Sequence, residues 1–140
     1  ETDAALFDRL VAVNLRAPLL LTKEFAARCG RGQIVNLLDT KVAEDLTSHL
    51  VYVVTKKALL DVTRLTAKEL APEIRVNGVC PGLILPPPGE DEAYLDKLAA
   101  RVPLKRRGRE EDIVSAVMYL LHNDYVTGQC LFVDGGEHLR

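Results

Sequence analysis

Cysteine is scarce in this sequence, and its three occurrences form no recognisable site. Cys29, Cys80 and Cys130 are odd in number, lie far apart and include no CxxC motif. Disulfide-rich secreted domains and thiol metal sites normally show paired or closely spaced cysteines, so a reducing cytoplasm is the expected compartment. The three histidines are likewise isolated from one another and from the cysteines, which argues against a metal site.

The sequence also lacks an excess of either charge and any long apolar run. Its 18 basic and 20 acidic residues leave a net charge of −2, which favours neither nucleic acid nor a membrane surface as a partner. No apolar stretch approaches the roughly 18–20 residues that a membrane-spanning helix needs. The opening Glu1-Thr2-Asp3 has neither the basic start nor the apolar run of a signal peptide.

What remains is an alternation of helical and strand patterns, within a length suited to one domain over residues 1–140. The predicted elements are a helix over 3–29, a strand over 33–38, a polar loop over 40–48, a helix over 49–70, a strand over 74–80, a Pro-rich loop over 86–89, a short helix over 91–101, a helix opening at 110–112 and a strand over 129–133. Pro18 predicts a kink or break in the first helix. The order favours an α/β fold with a parallel sheet and helices on both faces. Three strands are few, so either a preceding segment or another chain is expected to cover an outer strand.

Tyr52 and Lys56 lie four residues apart on the second predicted helix, so their side chains share one face. A neighbouring ammonium favours the phenolate, lowers the pKa of the phenol and makes it a usable acid or base near neutrality. Taken alone, this spacing is more typical of a helix-face tyrosine beside a solvated lysine. The pair therefore indicates a catalytic site only when other motifs accompany it.

Five ordered motifs, including this pair, are present. Asn14 lies in VNLRAP, Asp39 follows the strand QIVNLL, Tyr52 and Lys56 come next, and NGVCPG (77–82) and TGQCLFVDGG (127–136) close the chain. Together they resemble the short-chain dehydrogenase/reductase family, which has a helix Asn, a strand-ending Ser, Y-x-x-x-K, N-x-x-x-P-G and a final V-D-G-G. The resemblance covers essentially all 140 residues.

The resemblance assigns roles to residues of this sequence. It makes Tyr52 the catalytic acid, with Lys56 lowering its pKa and holding the nicotinamide ribose of the cofactor. It predicts that Asn14 anchors a water in the proton relay, although an Asn in a helix can also form hydrogen bonds to neighbouring groups of its own helix. It lets the backbone at Pro81 and Gly82 approach the nicotinamide, and a plain strand-ending turn is compatible with that role.

Asp39 departs from the family pattern, because serine usually stands at this position. A serine hydroxyl can donate a hydrogen bond to a ketone oxygen, whereas an ionised carboxylate only accepts and would repel the developing negative charge. Asp39 therefore favours a substrate that offers N–H donors or is protonated on nitrogen, as a pterin is. The other interpretation is a disabled site. With Asp at this position, the chain resembles the pteridine reductases, a branch of the family. That resemblance makes Leu83 and Leu85 expected walls of the substrate pocket, and ordinary packing of the loop is the other interpretation.

The family's Gly-rich turn for the cofactor pyrophosphate has no counterpart. Gly30-Arg31-Gly32 follows a predicted helix and precedes a strand, the reverse of the required context. The family's N-N-A-G segment is also missing. The resemblance therefore implies the C-terminal half of a Rossmann-like, doubly wound parallel sheet, without the N-terminal dinucleotide-binding half. The expected cofactor is NADPH, with NADH left open.

The leading functional prediction is NADPH-dependent reduction of a pteridine. The first alternative is reduction of a carbonyl or 3-oxoacyl substrate. The second is a non-catalytic fragment that acts only in subunit association, since the two long helices resemble those through which family members form dimers and tetramers.

Overall fold

The computed structural model describes residues 3–45, 47–87 and 89–140. Leu46 of the predicted 40–48 loop, Pro88 of the Pro-rich loop and the opening Glu1-Thr2 lie outside those ranges. The α-helices are α1 (Ala4–Val11), α2 (Ala17–Cys29), α3 (Leu50–Glu69), α4 (Glu92–Ala99) and α5 (Glu110–His122). The strands are β1 (Gly32–Leu37), β2 (Ile74–Pro81) and β3 (Cys130–Val133). A π-helical turn covers Ala12–Arg16, and short 3-10 helices cover Thr40–Ala43 and Glu137–Leu139.

The three strands form one parallel sheet in the order β1-β2-β3. The register aligns Gly32 with Ile74 and Gly78 with Cys130. The predicted α/β class, the parallel sheet and its three strands are therefore confirmed. β2 lies in the centre and is almost entirely buried, which accounts for its continuous apolar run.

Helix α3 packs along one face of the sheet. Leu59, Thr63 and Ala67 recur every four residues on its buried face, as an amphipathic helix requires. Leu59 belongs to a buried cluster with Leu38, Val42 and Cys80, and Ala67 belongs to a second with Ile74 and Val76. This packing holds α3, which carries Tyr52 and Lys56, against the sheet.

Helix α5 covers the other face, where Arg75 of β2 reaches its C-terminal end. Arg75 Nη2 donates to the carbonyl oxygen of Leu120 at 3.1 Å, and its guanidinium also bonds the side chain of Gln33 in β1. The last carbonyls of a helix have no partner within the helix and carry partial negative charge, so a guanidinium stabilises them. One side chain thus ties β1, β2 and α5 together.

The predicted break in the first helix is present, one turn before Pro18. Helix α1 begins after Asp3, whose Oδ1 accepts from Leu6 N at 2.7 Å. The Ala17 N–H then bonds the carbonyl of Ala12, five residues back rather than four. Pro18 has no N–H to offer the carbonyl of Asn14, so the α-helical ladder is interrupted here.

Element boundaries follow local caps that periodicity does not reveal. Asp91 accepts from Tyr94 N and starts α4, which ends at Ala99 rather than 101. The 3-10 helix Thr40–Ala43 replaces part of the predicted loop, because the Asp39 carboxylate caps it.

Within the described residues, no helix combines the length and apolar character needed to cross a bilayer.

Candidate active site at the carboxyl edge of the sheet

The residues singled out in the sequence gather where the parallel strands end. Asp39 follows β1 by two positions, Pro81 is the last residue of β2, and Asp134 follows β3 directly. The carboxyl edge is where open α/β sheets place their ligands. Tyr52 joins this edge from the first turn of α3.

Tyr52 and Asp39 form a direct hydrogen bond. The Tyr52 hydroxyl donates to Asp39 Oδ2 at 2.6 Å, and the other carboxylate oxygen, Oδ1, accepts from the backbone N–H of Lys41 at 2.8 Å. Each oxygen of Asp39 therefore has its own partner. The cap fixes the carboxylate, and the phenol is held against it.

The pKa of Tyr52 is raised above its ordinary value. Burial is the main cause, and the hydrogen bond to Asp39 and the negative charge of Asp39 add to it. The prediction that Lys56 lowers the pKa of Tyr52 was wrong for this arrangement. Lys56 Nζ donates to the carbonyl oxygen of Leu37 at 2.9 Å and lies 5.8 Å from the centre of the Tyr52 ring. Burial lowers the pKa of Lys56 itself.

Asn14 reaches helix α3 through a neighbouring threonine. Its Nδ2 donates to Thr55 Oγ1 at 3.1 Å, and that hydroxyl donates to the carbonyl oxygen of Tyr52 at 2.8 Å. Asn14 lies within the π-helical turn that precedes Pro18. The fold thus brings together Asn14 and Tyr52, which are separated by 38 positions in the sequence. The water-anchoring role of Asn14 stays a prediction.

Gly82 packs tightly against the chain's own C-terminal segment. A Cβ on Gly82 would come within 2.7 Å of Asp134 Cα and 3.1 Å of Glu137 Oε2. Glycine is therefore required here by internal packing, whatever else approaches. The nicotinamide contact expected for Pro81 and Gly82 stays a prediction.

The two leucines proposed as pocket walls lie in different environments. Leu83 is half-buried, and its carbonyl oxygen accepts from Gly108 N at 3.0 Å. Leu85 is 66% exposed. Ile84 packs between them against Gly108, where a Cβ would meet its Cδ1 at 2.5 Å. The loop is anchored, and the role of the two leucines as substrate contacts stays a prediction.

A second polar cluster beside Asp39 was not expected from the sequence. Asp134 is buried, and its Oδ2 accepts from Thr40 Oγ1 at 2.5 Å and from His138 Nδ1 at 2.8 Å. The His138 ring stacks on Phe132, with centroids 4.2 Å apart. Asp134 belongs to the V-D-G-G motif, which had served only as a sign of the family. Its contact with Thr40 spans 94 positions and has no local sequence signal.

Glu137 is also buried and was also missed. Its Oε1 lies 3.5 Å from Arg140 Nη2, while Oε2 has no hydrogen-bond partner among the described residues. Burial raises the pKa of Glu137, the negative charges of Asp134, Glu44 and Asp39 raise it further, and Arg140 opposes them. A buried acid followed by a terminal Arg three residues on is a weak sequence signal, because surface pairs have the same spacing.

Two cysteines that are distant in the sequence become neighbours in the sheet. Cys130 is aligned with Gly78, so Cys80 stands two residues further along the adjacent strand. A hydrogen bond with Cys130 and burial raise the pKa of Cys80, and the same bond lowers that of Cys130. All three cysteines are free. Across the described ranges, no group of three or more His, Cys, Asp or Glu residues could hold a metal ion.

An open apolar groove of about 890 Å³ runs between α2 and β1. Its walls include Leu21, Phe25 and Val35, and Asn14 and Lys56 also line it. β1 pairs only with β2 among the described strands, so its other edge faces this groove. The apolar outer edge expected from the sequence is therefore present.

Comparison with known proteins places this architecture in a family. A family model described as enoyl-(acyl carrier protein) reductase matches residues 1–138. The dihydromonapterin reductase of Klebsiella pneumoniae is 34% identical over 142 residues, covering 98% of this chain and 59% of that protein. The L-xylulose reductase of Caenorhabditis elegans is 38% identical over 141 residues, covering 92% of this chain and 56% of that protein.

The same placement follows from a solved structure. FolM alternative dihydrofolate reductase 1 from Brucella canis, complexed with NADP, superposes with a TM-score of 0.94 at 33% identity. The match covers all of this chain and 57% of that one. The chain thus spans little more than half the length of the relatives it matches. With the strand order, the motifs and these matches combined, the chain belongs to the short-chain dehydrogenase/reductase family.

Proposed function

We propose that this chain carries the catalytic centre of an NADPH-dependent pteridine reductase. The observation that carries the proposal is the 2.6 Å hydrogen bond from Tyr52 to Asp39, at a position where serine is usual in the family. Similarity to a dihydromonapterin reductase and to an alternative dihydrofolate reductase complexed with NADP supports both the substrate class and the cofactor.

The chemistry of the pair suits reduction of a C=N bond. Such a reduction would add a hydride to the ring carbon and a proton, delivered by the Tyr52 hydroxyl, to the adjacent nitrogen, which leaves a C–N single bond with a new N–H. Tyr52 keeps its proton at neutral pH, as an acid must before it donates, because the ordinary pKa of a phenol is about 10 and burial beside Asp39 raises the pKa of Tyr52 further. Asp39 accepts hydrogen bonds only, so it suits an N–H donor on the substrate.

Lys56 and the strand ends supply the remaining parts of the proposed site. When bound, the nicotinamide cofactor supplies the hydride. Lys56 is half-buried beside Tyr52 and would hold the ribose, while Pro81, the last residue of the central strand, and Gly82 after it would bound the nicotinamide. Leu83 and Leu85 continue from Gly82 and form the substrate side of this loop.

The test is an assay of purified protein from the complete reading frame, following NADPH oxidation with a dihydropterin and with a 3-oxoacyl thioester. We expect turnover of the dihydropterin, and Asp39→Ser should lower it more than any thioester turnover. The control is Asp45→Ser, since the Asp45 side chain is fully exposed and, among the described residues, bonds Lys57 alone. Turnover of the thioester alone, improved by Asp39→Ser, would refute the pteridine assignment.

Carbonyl reduction is the second candidate, and the similarity to an L-xylulose reductase favours it. In that case Asp39 must be protonated, or turned away, when negative charge develops on the carbonyl oxygen. The Asp39→Ser comparison separates the two candidates because it restores the donor that a ketone needs.

Self-association through the long helices is part of the proposal. Leu20 and Leu21 of α2 and Val54 and Leu65 of α3 are each more than half exposed, an unusual density of apolar side chains on a protein surface. Pairing of these helices into a dimer or tetramer would bury them. Sedimentation of Leu21→Glu beside the unmodified protein tests this.

A cytoplasmic location is proposed because Cys80 and Cys130 are adjacent but free.

A further inference from the structure

The carboxylate of Asp134 is the most heavily hydrogen-bonded group near the site. Its Oδ2 accepts from Thr40 Oγ1 at 2.5 Å, from His138 N at 2.9 Å and from His138 Nδ1 at 2.8 Å. Its Oδ1 accepts from Gly136 N at 2.9 Å. Burial works to raise the pKa of Asp134, but these bonds together hold it below its usual value. The three bonds from Gly136 and His138 lie within the C-terminal segment itself.

The bond from Thr40 is different, because it leaves that segment. Thr40 is buried and directly follows Asp39 in the chain. The next backbone N–H, that of Lys41, bonds Asp39 Oδ1 at 2.8 Å. Thr40 therefore lies between Asp39 and the N–H that binds its Oδ1, in the backbone turn that orients Asp39 Oδ2. That oxygen is the one that receives the Tyr52 hydroxyl.

We propose that Asp134 is a positioning residue: through the hydroxyl of Thr40 it fixes the turn carrying Asp39 and so aims Asp39 Oδ2 at Tyr52. The significance of this for proton transfer rests on the function proposed above. The link itself is a property of the fold. It couples the end of β3 to the end of β1 across the intervening β2, which ends at Pro81 and is followed by Gly82 in the same edge.

Packing makes this link stiff. A Cβ on Gly82 would meet Asp134 Cα and Cβ at 2.7 Å, so Asp134 lies directly against the Gly82 backbone. The Asp134 carboxylate keeps three donors when the Thr40 hydroxyl is removed, so the C-terminal segment retains its own bonds. A variant without the Thr40 hydroxyl loses only the hydrogen bond that joins the C-terminal segment to the turn carrying Asp39.

The test reads the Tyr52 phenol directly, without substrate or cofactor. Protein labelled with [¹³Cζ]tyrosine gives one signal for each tyrosine, four of them from this sequence, and Tyr52→Phe assigns the one of interest. The ¹³Cζ shift of a phenol responds to loss of a carboxylate acceptor, and Asp39→Ala marks the position of the fully released phenol. Thr40→Ala removes the hydroxyl, and Thr40→Ser restores it. Thr66→Ala is the matched control, because the Thr66 hydroxyl bonds only carbonyls of its own helix.

We expect Thr40→Ala to move the Tyr52 signal at pH 7 at least halfway toward its Asp39→Ala position. Thr40→Ser and Thr66→Ala should keep the wild-type position. A folded Thr40→Ala protein with an unmoved Tyr52 signal overturns the proposal, even if its melting temperature falls, because stability alone would then explain the contact. If Thr40→Ala does not fold, Asp134→Asn, which keeps the side-chain shape, is read in the same way. Failure to reduce a pteridine leaves this result standing, so the two proposals fail separately.

Discussion

The ammonium of Lys56 donates to the carbonyl oxygen of Leu37, the last residue of β1, at 2.9 Å. It is therefore committed to the sheet edge and lies over the Tyr52 ring, 5.8 Å from its centre, rather than at the hydroxyl. The hydroxyl is bound by Asp39 instead. Burial and this carboxylate, and not the ammonium, are accordingly what raise the pKa of the phenol in this structure.

Asp39→Asn should lower the pKa of Tyr52. The substitution removes the negative charge that disfavours the phenolate, while burial, the larger cause of the raised value, remains. We therefore expect a fall toward the ordinary value of about 10 without full return to it. Titration of the assigned Tyr52 ¹³Cζ signal measures this. Asp61→Asn, at an exposed position of the same helix, should leave the titration unchanged.

Tyr52→Phe should abolish most of the proposed reductase activity of protein from the complete reading frame. Loss of a positioned general acid lowers kcat by about 10²- to 10⁴-fold, and KM should change little because the ring remains. Tyr125→Phe is the control, since Tyr125 is 98% exposed. Activity that survives Tyr52→Phe would remove Tyr52 from the reaction.

Gly82→Ala should destabilise the fold by about 1–3 kcal/mol, the usual cost of forcing an extra methyl into a close-packed site. The new Cβ would lie 2.7 Å from Asp134 Cα, a backbone atom that a rotamer change cannot move. Urea unfolding followed by circular dichroism measures the loss. Adding Glu137→Ala, which clears only the Oε2 contact, should not recover it. Full recovery would show that the carboxylate, rather than the Asp134 backbone, requires the glycine.

Glu137→Gln should become more stabilising, relative to the parent chain, as the pH rises. Because burial raises the folded-state pKa of Glu137, the folded protein holds this proton more tightly than the unfolded chain. The stability this provides is complete below about pH 4.3 and is lost as the pH rises through the folded pKa. Glutamine cannot titrate and escapes that loss.

The measurement for Glu137→Gln is the free energy of unfolding in urea at several pH values from 4 to 8. Glu90→Gln, at an exposed loop position, should show no such trend. A difference between Glu137→Gln and the parent chain that is independent of pH would contradict the raised pKa of Glu137.

Local patterns in the sequence predicted the elements and the sharing of a helix face by Tyr52 and Lys56. Such patterns suffice where a period or a spacing directly fixes geometry. The direction of the Tyr52 pKa shift could not be obtained in this way, because it depends on the burial of the phenol and on a carboxylate brought in from another element. The same holds for Asp134, whose partner Thr40 is 94 positions away and lies beyond the end of another strand. The Thr40–Ala43 helix depended on a single capping contact that a polar loop conceals.

The π-helical turn at Ala12–Arg16 has a consequence for how this chain can vary in length. Such a turn holds one residue more than the α-helical turn it replaces, and each residue rotates an α-helix by about 100°. Deleting one residue there while replacing Pro18 would restore a continuous ladder and swing the preceding side chains around the axis. Asn14 would then lose its bond to Thr55 although no contact residue had been changed. Homologues and designed variants that keep this bond should therefore conserve the number of residues between Asp3 and Pro18 more strictly than their identities.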